Sequence, residues 1–178
     1  MLQSSRLLLR ALEPSDLNIT YLGWLNDPEV NRFLETRFLP QTIESLQAYW
    51  QAHRDDPTSP WFAICLVGDS RHIGNIKLGP IHWLYRHAYL SLFIGDRSFW
   101  GKGYASEAIA LVRDWAFREL DLQKLNAGIC AGNIGSRRAF EKCGFELEGT
   151  LRQEVVSGGQ RVDTWRLGLP RSHWRPAP

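Results

Sequence analysis

Small residues at one strand-to-helix crossing could bind a diphosphate. The apolar run 87–94 predicts a strand, and after Trp100-Gly101-Lys102-Gly103-Tyr104-Ala105 apolar residues recur every three or four positions, which is typical of a helix. The first N–H groups of a helix lack internal partners and lie at the positive end of its dipole, so they bind anions when no side chain blocks the approach. Gly101, Gly103 and Ala105 leave that approach open. A Gly-x-Gly pair alone is equally typical of a plain turn, so further residues must decide.

A second crossing of the same kind follows about thirty residues later. Residues 124–130 predict a short buried strand, and Asn133 and Gly144 are a candidate N-cap and a candidate stop for the helix between them. Phe145 then begins another strand. Because the two helix starts follow neighbouring strands, we expect them to face one cleft.

The two crossings resemble motifs of the GCN5-related N-acetyltransferase (GNAT) superfamily. The matching residues are Trp100-Gly101-Lys102-Gly103-Tyr104-Ala105-Ser106-Glu107-Ala108, Asn133-x-x-Ser136-x-Arg138 and Glu141-Lys142-x-Gly144-Phe145. The branch that they resemble most contains ribosomal-protein N-terminal and sugar-nucleotide amine acetyltransferases, and the resemblance extends over nearly the whole chain. It implies an N-acetyltransferase with acetyl-CoA as co-substrate and no metal. The fold it implies is of the α/β (α+β) class, with a mixed, mostly antiparallel twisted sheet of about seven strands, splayed in the middle, and about four helices on both faces.

The resemblance also implies which residues would hold the coenzyme. Its pyrophosphate would lie on the amides of residues 101–105, and its pantetheine arm would pair with the main chain of Phe93 and Ile94 where the strand splays away from its neighbour. Asn133 would contact the pantetheine amides as well as cap its helix. The complete predicted set is Phe93, Ile94, Trp100, Gly101, Lys102, Gly103, Tyr104, Ala105, Asn133, Ser136, Arg138 and Lys142, in which the Lys and Arg side chains would meet the phosphates.

Acetyl transfer from a thioester to an amine needs a neutral nitrogen, a polarised carbonyl and assistance for the departing thiolate. The sequence contains no Cys–His nucleophile motif and no G-x-S-x-G elbow, which favours direct attack by the amine in a ternary complex. Many members of the superfamily protonate the thiolate with a Tyr at the position of Phe140. The branch resembled here uses a Ser, which implies Ser136. As a residue of the first helical turn, Ser136 could equally satisfy only backbone groups.

Three residues are candidates for the general base. Glu154 lies on the first arm of the closing hairpin, but the position that matches the family is Val155, so Glu154 requires a bulge or register shift to point inward. Glu35 lies in the substrate-side helical region, and Tyr89 could hold a water that relays the proton. Each is also explained as an ordinary surface or core residue, and an amine that arrives partly neutral needs no base.

The rest of the sequence predicts one domain that positions these residues. A chain of 178 residues that is 44% hydrophobic is long enough for one sizeable core, so residues 1–178 form a single domain with an irregular tail over 169–178. Apolar patterning predicts strands at 6–12, 61–67, 72–78, 87–94, 124–130, 146–156 and 160–169, and helices at 14–25, 29–34, 42–53, 104–120 and 133–143.

Composition excludes several classes of protein. A net charge of +2 with scattered basic residues predicts no nucleic-acid partner, and the lack of a long apolar run or a signal segment predicts a cytoplasmic protein without a membrane partner. Three cysteines without C-x-x-C spacing argue against a disulfide framework or a zinc site.

The acceptor is the least determined part of the prediction. A small-molecule amine, such as an amino sugar carried on a nucleotide, is favoured over the N-terminus of a ribosomal or other protein. A non-catalytic acyl-CoA-binding module is the alternative of a different class, suggested by Phe140 and by the lack of an obvious base. A homodimer is left open.

Overall fold

The computed structural model describes residues 1–176 and is built on an eight-stranded sheet. The strands are β1 (Leu2–Gln3), β2 (Leu7–Ala11), β3 (Trp61–Leu66), β4 (His72–Leu78), β5 (His87–Ile94), β6 (Lys124–Cys130), β7 (Glu146–Ser157) and β8 (Gln160–Pro170), and their order across the sheet is β1-β2-β3-β4-β5-β6-β8-β7. Every neighbouring pair is antiparallel except β5 and β6. The predicted mixed, mostly antiparallel sheet is confirmed, with the two-residue β1 as an additional strand.

Across residues 1–176, five α-helices accompany the sheet. They are α1 (Ile19–Asn26), α2 (Pro28–Asn31), α3 (Ile43–His53), α4 (Tyr104–Arg118) and α5 (Ile134–Lys142), and 3-10 turns lie at Pro14–Asp16, Glu35–Phe38, Arg97–Phe99 and Arg171–His173. The single helix predicted over 14–25 is wrong, because Asn18 is extended and its side chain accepts hydrogen bonds from the N–H groups of Thr20 and Tyr21, which starts a new helix. The helix predicted over 29–34 is shorter, since it begins at Pro28 and ends at Asn31.

The sheet opens in its middle. The parallel pairing of β5 with β6 joins His87 to Lys124, Ala88 to Leu125 and Tyr89 to Asn126, and it stops there. Beyond that point, residues 90–94 of β5 and 127–130 of β6 have no ladder partner across the gap. The predicted splay is therefore present, and its main-chain groups are available to another molecule.

Helices cover both faces of the sheet, as predicted. The larger core lies under α4 and α5 and includes Leu7, Ile64, Ile76, Leu90, Ile109, Val112, Phe117, Leu125 and Phe140, all buried. The smaller core lies under α1, α2 and α3 and includes Leu12, Leu17, Tyr21, Trp24, Leu46 and Trp50. The two cores fix the relative positions of the two crossings and of the cavity described below.

The C-terminal segment is more ordered than the predicted irregular tail. β8 continues to Pro170 because it pairs with β6, and Trp174 donates a hydrogen bond from Nε1 to Asp114 Oδ1 at 2.8 Å. The Trp174 ring also packs on Phe117, with 5.5 Å between ring centroids. Only the last part of the predicted tail, residues 177–178, lies outside the described residues.

Candidate active site

The loop before α4 has the backbone conformation of an anion cradle. Gly101 and Gly103 have φ values of +73° and +85°, in the left-handed region that favours glycine, and Gly103 is the N-cap of α4. Within the described part of the chain, no group accepts a hydrogen bond from the main-chain N–H groups of residues 101–106. Six free donors at the positive end of a fifteen-residue helix fit a diphosphate.

Arg6 holds this loop in place, a role that the sequence motifs do not reveal. Its Nη1 donates to the carbonyl oxygen of Lys102 at 3.1 Å, and its Nε donates to Glu107 Oε2 at 2.7 Å. Its guanidinium also lies 4.4 Å from the ring centroid of Tyr104. Because Arg6 stands almost one hundred residues before the loop, local spacing carries no signal for these contacts.

The ladder between β4 and β5 decides which main-chain groups face the splay. The N–H of Gly79 donates to the carbonyl of Tyr89 at 2.6 Å, so the main-chain groups of Tyr89 face β4. Every second residue of a strand directs its N–H and C=O to the same neighbour, and the register with β4 is uninterrupted, so the main chain of Ser91 and Phe93 also faces β4. The prediction that the main chain of Phe93 faces the coenzyme is therefore wrong. Leu92 and Ile94 face the gap instead, and the Ile94 carbonyl there accepts a hydrogen bond from Trp100 Nε1 at 2.8 Å.

A cavity of about 680 Å³ lies at the splay, between the two helix starts. Of the predicted coenzyme-binding residues, those that line it are Phe93, Ile94, Trp100, Gly101, Gly103, Tyr104, Ala105, Asn133, Ser136, Arg138 and Lys142. Lys102 does not line it, and its ammonium lies 5.8 Å from the ring centroid of Phe99. Arg32 also lines the cavity and adds a cation that the sequence analysis missed.

The second helix start is organised by Asn133. Its side-chain oxygen accepts the N–H of Ser136 at 3.2 Å, which is an N-cap contact. Ser136 lines the cavity, and its hydroxyl has no hydrogen-bond partner among residues 1–176, so it is available as a proton donor. Phe140 is 2% exposed and packs edge-on against Phe145, and its ring contributes no proton.

A second cavity of about 610 Å³ adjoins the first. Both are lined by Phe33, Leu34, Ser91, Leu92 and Phe93. The second cavity continues between the 3-10 turn at 35–38, α3 and strands β3 to β5. A molecule in it would therefore reach the gap-facing edge of β5 from the side opposite the two helix starts.

Comparison with known proteins identifies the family. The family description "acetyltransferase (GNAT) domain" matches residues 6–146. The chain belongs to the GNAT family. A probable N-acetyltransferase, YjcK of Bacillus subtilis, is 42% identical over 111 residues, which cover 61% of this chain and 60% of that relative. A spermidine N(1)-acetyltransferase of Vibrio cholerae is 29% identical over 96% of each chain.

Solved structures agree with this assignment. A crystal structure of spermidine N-acetyltransferase from Vibrio cholerae in complex with CoA and spermine superposes with a TM-score of 0.85 at 26% identity, covering 96% of this chain and 98% of that one. This GNAT protein is an acetyl-CoA-dependent N-acetyltransferase, and its fold is the predicted one. Between residues 1 and 176, no helix combines the length and the apolar character needed to cross a membrane.

The structure separates the three base candidates of this GNAT enzyme. Glu35 lines the second cavity. Glu154 lies at an irregularity of the β7–β8 ladder, as the prediction required, but its carboxylate pairs with Arg166 at 3.0 Å and lines neither cavity. Tyr89 is 39% exposed and also lines neither cavity. Only Glu35 among the three is therefore placed beside the shared wall.

The cysteine nearest the cleft is poorly suited to nucleophilic attack. Cys130 lines the first cavity, and burial raises the pKa of its thiol above the ordinary value, which keeps the thiol protonated near neutral pH. Burial likewise raises the pKa of Cys143 to about 11. Neither thiol has the environment of an activated nucleophile.

Proposed function

We propose that this enzyme acetylates the primary amine of a small molecule bound in the second cavity, by direct transfer without an acyl-enzyme. The observation that carries the proposal is the wall shared by the two cavities at residues 91–93, which would bring an amine to the end of a coenzyme bound in the splay. A volume of about 610 Å³ is ordinary for a small-molecule site.

Each part of the site then has a task. Acetyl-CoA supplies the acetyl group as a thioester. The free amides of residues 101–106 hold its diphosphate, with Arg138 and Lys142 adding positive charge, and the gap-facing main chain of Leu92 and Ile94 holds the pantetheine arm and aligns a donor with the thioester carbonyl. Ser136 protonates the departing thiolate, and Glu35 takes the proton of the amine.

The charges of the second cavity bear on the acceptor. Among the described residues that line it, Glu35 is acidic and Lys77 is basic, so their formal charges cancel. The aromatic residues Tyr21, Tyr49 and Trp61 also line this cavity. An uncharged or mixed-charge amine with a flat or cyclic body, such as an amino sugar, fits this lining.

A polyamine is the second candidate, because two kinds of observation favour it. Relatives from Vibrio cholerae and Escherichia coli carry the name spermidine N(1)-acetyltransferase, and Glu35 could pair with one ammonium group. The remaining ammonium groups of a polyamine would have no second carboxylate along this lining and would face Lys77.

Thiol release from acetyl-CoA tests the proposal against a panel of acceptors. The panel contains free and nucleotide-linked amino sugars, spermidine, and peptides with free N-termini, and mass spectrometry identifies the acetylated product. We expect turnover with a small amine. Turnover confined to peptides, or CoA binding without turnover on any acceptor, would contradict the proposal.

A further inference from the structure

Asn75 is a buried amide whose donor group has no hydrogen-bond partner among the described residues 1–176. It lies on β4 directly opposite Phe93 and is 2% exposed. Its Nδ2 has no hydrogen-bond partner, and the residue lines the second cavity beside the wall shared with the first. A buried N–H group without a partner costs about 1–3 kcal/mol, so a group in this position indicates a ligand that accepts the bond.

His72 determines which end of the amide faces the cavity. Its Nε2 lies 2.9 Å from the carbonyl oxygen of Gly74 and 2.8 Å from Asn75 Oδ1. A carbonyl oxygen can only accept, so Nε2 must carry a proton, and the Asn75 oxygen must be the atom that faces His72. The NH₂ group is therefore the end of the amide that is turned away from His72, and among residues 1–176 no group accepts a hydrogen bond from it.

The imidazole itself is held rigidly. The His72 ring packs edge-on against Tyr21 and Trp24, with 5.6 Å and 5.1 Å between ring centroids. Burial lowers the pKa of His72 below its ordinary value, so the ring is neutral at neutral pH and keeps one tautomer. The Asn75 amide thus cannot turn over without breaking a buried hydrogen bond.

Two further hydrogen-bond donors line the second cavity with Asn75. Lys77 lies two residues further along β4 and therefore on the same face of the sheet, and it offers an ammonium donor. Thr36 also lines this cavity, and its hydroxyl is buried with no hydrogen-bond partner in the part of the chain that the structure describes. A bound molecule would meet donors from Asn75, Lys77 and Thr36.

We propose that Asn75 determines acceptor specificity by donating a hydrogen bond to an oxygen of the acceptor close to its amino group. This inference rests on the proposed small-molecule function and narrows it to amines that carry hydroxyl, carbonyl or phosphate oxygens, as amino sugars do. A polyamine has only ammonium groups at neutral pH, and these donate hydrogen bonds without accepting them. It would leave the Asn75 donor unpaired.

Two substitutions of Asn75 test the proposal on three acceptors. The acceptors are the best amino sugar in the panel, its deoxy analogue lacking the hydroxyl next to the amine, and spermidine. Asn75→Leu should lower kcat/KM for the amino sugar by roughly 10- to 100-fold, because the donor is lost, and leave the deoxy analogue almost unchanged. Asn75→Asp keeps an oxygen for His72 but presents a carboxylate to the cavity, so it should raise relative activity on spermidine.

Thr164→Val is the matched control. Within residues 1–176 the buried Thr164 hydroxyl also has no hydrogen-bond partner, but the residue lies on β8 and lines neither cavity, so acceptor preference should not change. Calorimetry with CoA checks that each variant is folded. If the ratios of kcat/KM among the amino sugar, its deoxy analogue and spermidine were the same in wild type and in both Asn75 variants, this inference alone would be overturned. A wild type that acetylates no small amine would overturn the proposed function with it.

Discussion

Arg6 and Glu107 form an ion pair that joins the segment before β2 to the first turn of α4. Ser4 donates to the same carboxylate at 2.5 Å, so two residues of the N-terminal segment contact one side chain that lies about one hundred positions later in the chain, beside the diphosphate loop. Exposed ion pairs contribute about 0.2–1 kcal/mol, so Arg6→Ala should raise the Kd for CoA by no more than about fivefold, with kcat unchanged. Calorimetry measures this. Arg54→Ala, at the end of α3 with its own partner Asp55, is the control and should bind CoA like wild type.

A side chain at Gly103 should weaken coenzyme binding strongly. The φ of +85° disfavours any residue with a Cβ, and valine at this position would strain the loop by roughly 1–3 kcal/mol and cover the free amides. We expect Gly103→Val to lower CoA affinity at least tenfold in a titration. Gly23→Ala is the control, because it adds a Cβ into open space on α1, and it should leave the affinity for CoA unchanged. Unchanged binding by Gly103→Val would exclude the cradle.

The hydroxyl and the main-chain N–H of Ser136 can be tested separately. Ser136→Ala retains the N–H that Asn133 accepts, so it should lower kcat by more than it raises the Kd for CoA. Asn133→Ala removes the cap itself, and we expect it to cost about 1 kcal/mol of unfolding free energy and to weaken CoA binding as well. Steady-state kinetics, calorimetry and urea unfolding distinguish the two variants. Equal losses of kcat and affinity in Ser136→Ala would reduce Ser136 to a binding residue.

Glu35 and Glu154 provide a matched pair for locating the base. Glu35→Gln removes the carboxylate at the second cavity and should flatten the rise of the rate with pH, because the amine then loses its proton only to solvent. Glu154→Gln disturbs only the contact with Arg166 and should keep the wild-type pH profile. The reverse result would return the role to Glu154. Two unchanged profiles would indicate that the amine arrives neutral.

Acid should destabilise the protein in two steps through His72 and Asp16, whose Nδ1 and Oδ1 lie 3.9 Å apart. Burial lowers the pKa of His72 below 6.5. Burial alone would raise the pKa of Asp16, but hydrogen bonds from Arg10 and from the N–H of Glu13 outweigh it and hold that pKa below 3.8. Each group therefore binds its proton more readily in the unfolded chain, and its contribution to stability is complete above the unfolded pKa and lost as pH falls.

We accordingly expect the unfolding free energy to decline below about pH 6.5 through His72, and further below about pH 3.8 through Asp16. Urea unfolding between pH 8 and pH 3 measures both declines. His72→Gln should abolish the first decline and keep the second, while His53→Gln at the end of α3 should keep both. A flat stability between pH 7 and pH 5 in the wild type would contradict the assignment to His72.

Much of the fold follows from local pattern. The strands at 61–66, 72–78, 87–94 and 124–130 agree with the predicted ranges within one residue, since apolar runs bounded by Gly, Pro and Asp mark them. β1 was not predicted, because a strand of two residues is too short to show an alternation of apolar and polar side chains. Its conformation is stabilised by pairing with β2. The break at Asn18 escaped because the apolar pattern continues across it, whereas the cap depends on backbone angles.

The candidate site divides in the same way. Its contiguous parts, the glycine loop and the capped start of α5, could be read from spacing and from family resemblance. Arg6 and Asn75 could not, because each reaches the site from an element remote in sequence. The direction in which the Phe93 main chain faces follows from the phase of the β4–β5 ladder, which the bonds Gly79–Tyr89 and Gly95–Ile73 show and which the alternation of apolar residues within β5 does not encode.

The short parallel ladder that ends at Tyr89 and Asn126 also has a mechanical meaning. Only three residue pairs of β5 and β6 join strands β1 to β5 to strands β6, β8 and β7, so the pairing across the sheet is weakest at its middle. A coenzyme bound in that gap would bridge the two parts of the sheet reversibly. At a concentration one hundred times its Kd, it would add about 2.7 kcal/mol to the free energy of unfolding of the whole molecule. Hydrogen exchange at the amides of Leu92 and Ile94 should slow first when the coenzyme binds.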